Sequence, residues 1–109
     1  MTTFHQDLTQ AQWFKFSIFE QMANVGSEVY RAISWREKDK KLSRGAFWRA
    51  LELVDLTVED PKNKNRLKEI LRMREVLVDY FAGDNQYHST DESWQKYFYS
   101  FNYAARLNK

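Results

Sequence analysis

Three glycines and one proline in 109 residues leave this chain few residues that break regular structure. It cannot supply the frequent turns of a β-sandwich, and no run alternates apolar and polar residues as a half-buried strand does. What recurs instead is helical spacing. Phe14, Ile18, Met22, Val25, Val29 and Ala32/Ile33 fall on one stripe. Thr9-Gln10-Ala11-Gln12 ahead of them has capping-box spacing, so a first helix is expected from about Thr9 to near Glu37. Gly26 lies inside it, where glycine costs about 1 kcal/mol against alanine. A close helix crossing would explain it, because a missing Cβ lets a second helix approach.

The charged stretch 36–41 reads as the first connection. Ser43 is the expected cap of a second helix with Phe47, Leu51, Val54 and Val58 as its stripe. Glu59-Asp60-Pro61 should end it, because the residue before proline is pushed out of the α region. Leu67, Ile70, Leu71, Leu77, Val78 and Phe81 make a third stripe, stopped by Gly83. Ser89 with Glu92 offers another capping box. The helix it opens, over 90–107, carries Trp94, Phe98, Phe101 and Ala105 on one side. The expected architecture is all-α: one domain over residues 1–109, a four-helix up-down bundle with a long first helix. The longest apolar runs are far short of a membrane span, and the polar N-terminus with Asp7 is unlike a signal peptide. A cytoplasmic protein without membrane contact is expected, and the lack of cysteine is compatible with that.

The chain has no cysteine and only two histidines, His5 and His88. That excludes cysteine nucleophiles, Cys/His zinc sites and Glu-x-x-His di-iron centres. Chemistry would have to run on carboxylates, Lys/Arg, Tyr or a hard cation. His88 with Asp84 makes a minimal metal pair, but a lone loop histidine is usually no ligand, and His5 reads the same way. Glu20, Asn24 and Glu28 stack at i, i+4, i+8 on the first helix; Glu52, Asp55 and Glu59 stack at i, i+3, i+7 on the second. If the rows faced each other, their oxygens would suit Mg²⁺. Glu52-Leu53-Val54-Asp55 resembles the E-x-x-D half of the all-α nucleoside triphosphate pyrophosphatase motif, whose E-x-x-E half is missing here. That resemblance implies a Mg²⁺-dependent nucleotide hydrolase acting through Glu20, Glu28, Glu52 and Asp55. The plainer alternative pairs these carboxylates with Arg31, Arg49, Arg66 and Arg74. Neither histidine follows an arginine at the R-x₄₋₆-H spacing of HEPN ribonucleases, so that activity has no support.

Residues 61–82 carry Lys62, Lys64, Arg66, Lys68, Arg72 and Arg74 against Glu69, Glu75 and Asp79. The first five could touch phosphates or an acidic partner, although the interleaved carboxylates favour pairing within the helix. The net charge of +2 gives nucleic-acid binding only weak support. The aromatic excess says more. Six of the ten residues from Trp94 to Tyr103 are aromatic, and one helix face holds about three or four core positions in that length. Trp94, Tyr97, Tyr99 and Tyr103, with Trp13, Phe14 and Phe16, therefore form the candidate interface, and Trp35 and Trp48 are two further candidates. The expected function is a non-enzymatic helical-bundle interaction protein without cofactor. It would self-associate, with a dimer favoured, and bind a protein partner. The alternatives are the Mg²⁺ hydrolase and a nucleic-acid-binding accessory protein.

The strings 20–29, 49–57 and 66–75 are similar to a family of short helical prokaryotic proteins without assigned activity. The resemblance covers most of the chain and implies a helical fold, but no reaction, cofactor or catalytic residue. In architecture the chain also loosely resembles other small four-helix-bundle proteins, a fold-level analogy.

Overall fold

The computed structural model describes residues 9–107, which form five helices and one 3₁₀ segment, with no strand among them. The helices are α1 (Gln10–Phe14), α2 (Ile18–Trp35), α3 (Lys40–Glu59), α4 (Leu67–Ala82) and α5 (Asp91–Leu107). Thr9 caps α1 as its spacing predicts: its hydroxyl accepts from the Gln12 N–H at 3.1 Å, and Gln12 Oε1 accepts from the Thr9 N–H at 2.9 Å.

The long first helix is not found, because the helix begun at Thr9 stops at Phe14. A second capping box opens α2: Ser17 Oγ accepts from the Glu20 N–H at 3.1 Å, and Glu20 Oε1 accepts from the Ser17 N–H at 3.0 Å. The box satisfies N–H groups that a new helix start leaves without partners, so breaking the helix here costs little. The break lets Trp13 turn inward. It is 2% exposed, and its Nε1 donates to Thr57 Oγ1 at 3.1 Å. The longest helix is α3, with 20 residues.

Two expected caps also shift. Asp39, not Ser43, caps α3, its carboxylate accepting from the N–H groups of Lys41 and Leu42 at 3.0 and 3.1 Å. Ser43 is buried and donates instead to the Ala32 carbonyl at 2.6 Å, tying α3 to α2. At α5 the reciprocal pair is Thr90 with Ser93, not Ser89 with Glu92. The Ser89 backbone is already held by Asn85, whose amide both donates to its carbonyl and accepts from its N–H. Asn85 adopts φ 53°, a left-handed conformation that asparagine tolerates well. Pro61 ends α3 as expected and opens the 3₁₀ segment Pro61–Arg66.

α2 packs on α3 and α5, and α3 packs on α4. The core joins Met22, Val25 and Val29 of α2 to Phe47, Leu51 and Val54 of α3, Ile70 and Leu77 of α4, and Phe98 and Phe101 of α5. Gly26 does stand at a close crossing: a Cβ there would lie 2.6 Å from Phe98 Cβ. Among the described residues, no helix is long and apolar enough to cross a membrane.

Candidate functional site

The acidic rows do not gather. Glu20 is occupied in the Ser17 cap. Glu28 is buried and takes Arg31 at 2.6 Å and Arg49 at 3.0 Å, so two guanidinium groups compensate the charge that burial would otherwise penalise. Asp55 is exposed and pairs with Arg74 at 2.8 Å, and Glu52 is half-buried on α3. Among the described residues no three His, Cys, Asp or Glu side chains form a group that could hold a metal ion. His5 lies outside the described residues.

The polar side chains that do converge are ones the periodicity passes over. Gln21, Thr57, Asp60 and Asn63 are all buried where the start of α2 meets the end of α3. Gln21 Nε2 donates to the Trp13 carbonyl at 3.0 Å and to Asp60 Oδ2 at 2.8 Å, and its Oε1 accepts from Asn63 Nδ2 at 2.8 Å. Asn63 also donates to the Thr57 carbonyl, and Thr57 to the Leu53 carbonyl. Lys62 bonds the Asp60 carboxylate and donates to the Phe14 carbonyl at 2.8 Å. The cluster supplies partners to backbone groups freed by both helix breaks, and it uses its polar atoms on one another. It pins the fold.

The basic segment divides. Lys62 is spent in that cluster. Arg66 lies over the Phe19 ring and near Glu69, and Arg72 lies over the Tyr87 ring and near Glu75. Lys64 and Lys68 are exposed. The five cations therefore form no single unpaired face.

A second polar group clamps three helix ends. Arg36, just past α2, bonds both oxygens of Asp91 at 2.8 and 2.6 Å, and Tyr80 of α4 donates to the same carboxylate. Burial works to raise the Asp91 carboxyl, but Arg36 and the Tyr80 hydroxyl outweigh it and hold that carboxyl below its ordinary value. Asp60 behaves alike: burial raises it, and Lys62 with Gln21 overcomes this and lowers it. Groups depressed in the folded chain stabilise it above the ordinary carboxylate range, near pH 4, and lose that contribution as pH falls through the lower folded values. The denaturant midpoint should hold from neutrality to about pH 5 and drop below about pH 4. Asp91→Asn should be less stable at neutral pH and show a shallower acid drop. The same acid drop in Asp91→Asn as in the native chain would remove the clamp from the account.

The aromatic set separates by helix face. Trp13 and Trp94 are buried core residues and offer no exposed surface to a partner. Phe14 is partly buried against the core. Tyr97 is mostly buried between α5 and α4, and burial, reinforced by Glu69, pushes its hydroxyl up to about 12. Phe16, Tyr99 and Tyr103 remain exposed, at 36%, 60% and 54%. Tyr30, which the sequence reading passed over, joins them at 59%. Phe16, Tyr30 and Tyr99 line the α2–α5 seam, and Tyr103 stands one turn beyond Tyr99 on the exposed side of α5. One groove of about 550 Å³ runs there over Gly26, Val29, Ile33 and Phe98, between Tyr30 and Tyr99. A second groove continues it over Ala23 and Ala105 to Phe16, sharing Ser27, Tyr99 and Asn102 with the first. Tyr30 could have been found from the helical period, since it sits four residues beyond Gly26 on the same side of α2.

Comparison with protein-family models, curated proteins and solved structures finds no match to the chain.

Proposed function

We propose that this chain is a cytoplasmic, non-enzymatic interaction protein that associates with a second copy of itself through the α2–α5 seam. The observation that carries the reading is the set of exposed rings Phe16, Tyr30 and Tyr99 on that seam, with the exposed Tyr103 one turn beyond Tyr99 on α5. Tyrosines with an apolar body and a polar tip are favoured at interfaces, and the groove floor between them is apolar at Val29, Ile33 and Phe98. Isologous pairing of one face with itself gives a closed two-fold dimer. The four longer helices are read as a bundle whose α2–α5 side a second copy covers. Three of the four carboxylates of the hydrolase alternative, Glu20, Glu28 and Asp55, are engaged with the Ser17 cap, Arg31, Arg49 and Arg74, which favours the non-enzymatic reading.

The test is sedimentation equilibrium on the native chain and on Tyr99→Lys and Tyr103→Lys. Lysine on both sides of a two-fold axis sets like charges against each other, so the double variant should move to the monomer mass with its helical circular dichroism intact. A mass that does not change in the double variant would remove this face from consideration.

A further inference from the structure

A separate cavity of about 330 Å³ opens between the first half of α3 and the end of α4. Its wall follows from helical spacing: Lys40, Arg44 and Trp48 fall at i, i+4 and i+8, so they stack along one side of α3. Phe47 and Phe81 line the interior, with ring centroids 5.2 Å apart, and the Trp48 indole lies 5.7 Å from the Phe47 ring. Trp48 is 50% exposed, so much of its ring is open to solvent. Arg36 lines the cavity as well, its guanidinium held in place by Asp91 and Tyr80.

The charge lining this cavity is of one sign. Three cations line it and no carboxylate does. Several cations elsewhere are answered by carboxylates: Glu28 faces Arg31 and Arg49, Asp55 faces Arg74, and Asp60 faces Lys62. Lys40 and Arg44 form no ion pair among the described residues. Two free cations beside an open indole are complementary to a ligand that joins an anion to a flat aromatic ring. The volume is at the small end of ligand pockets, roughly 300–1,000 Å³, enough for one base against Trp48 with its phosphate outside at Lys40 and Arg44. The amide groups at the start of α3 are no part of this, because Asp39 already accepts from two of them.

We infer that this cavity binds a nucleotide, with its base on Trp48 and its phosphate between Lys40 and Arg44. The nucleotide is either free or one residue of a single strand, since both present the same chemistry. The site lies between α3 and α4 and does not depend on the α2–α5 seam.

Binding of adenosine 5′-monophosphate by calorimetry, and of a fluorescein-labelled oligothymidylate by anisotropy, tests this on the full chain. Trp48→Ala and Arg44→Glu should each weaken binding about tenfold or more, as loss of a stacking ring or a phosphate contact does. Arg44→Glu should also flatten the dependence on salt. Lys68→Glu, on exposed α4, should change binding by less than about threefold. Binding of the mononucleotide as tight as that of the strand identifies a free nucleotide as the ligand, and markedly tighter strand binding identifies a single strand. Binding of neither probe overturns the inference. So does binding that Trp48→Ala and Arg44→Glu leave intact.

Discussion

Gln21→Leu is expected to destabilise the chain by about 2–4 kcal/mol, since each buried hydrogen bond lost with its partner left in place costs about 1–3 kcal/mol. Leucine is close to glutamine in volume, so the change opens no large cavity and the loss is polar. Gln21 is fully buried and serves the Trp13 carbonyl, the Asp60 carboxylate and the Asn63 amide together. These three groups belong to α1, the end of α3 and the 3₁₀ segment, so one side chain ties three pieces to α2. Gln21→Glu should be worse at neutral pH, because it sets a second carboxylate beside Asp60, and partly rescued by acid. Urea denaturation checks both. A Gln21→Leu variant within about 0.5 kcal/mol of the native chain, the range of an ordinary surface change, would contradict the role given to this cluster.

Gly26→Ala should also destabilise, by about 1–3 kcal/mol, the range for overpacking. The added methyl would meet Phe98 Cβ at 2.6 Å and Cγ at 2.8 Å. Phe98 Cβ is anchored directly to the α5 backbone, so no rotation of the side chain relieves that contact and the helix itself must move. Gly26→Leu should be worse. Gly45 is the control, because a Cβ there meets only Arg49 Nη1 at 3.6 Å. Gly45→Ala should therefore stabilise α3 by up to about 1 kcal/mol through helix propensity. Thermal melts of the two alanine variants should move in opposite directions. Equal shifts would show that α5 does not crowd Gly26.

The helical class and the α5 core stripe were legible because the apolar period there was unbroken. The start of the chain misled because Phe14 and Ile18 keep helical spacing straight across the break. The Ser17-Ile-Phe-Glu20 box that marks the break has the same spacing as the Thr9 box. At α5 the expected Ser89 cap gives way to Thr90, because Asn85 holds the Ser89 backbone from outside the helix. The Gln21 cluster could not be read at all. Its partners Asp60 and Asn63 lie 39 and 42 residues away, and no local pattern marks a glutamine on an apolar stripe as anything but an interruption. The aromatic surplus on α5 was countable, yet which rings turn inward depends on where α2 and α4 lie. That sends Trp94 to the core and leaves Tyr99 outside. Glu28 shows the converse: a residue that looked like a ligand is a buried anion neutralised from two helices.

The proposed α2–α5 dimer can be tested directly, because a chain without cysteine accepts a single spin label cleanly. Asn102 is exposed and lines both grooves of the seam, whereas Lys68 stands on α4. Nitroxide-labelled Asn102→Cys and Lys68→Cys, each measured by pulsed dipolar spectroscopy, report the distance between copies. Labels at 102 should give a narrow intermolecular distance shorter than the one from position 68. No intermolecular distance at 102, or a shorter one at 68, would contradict the account.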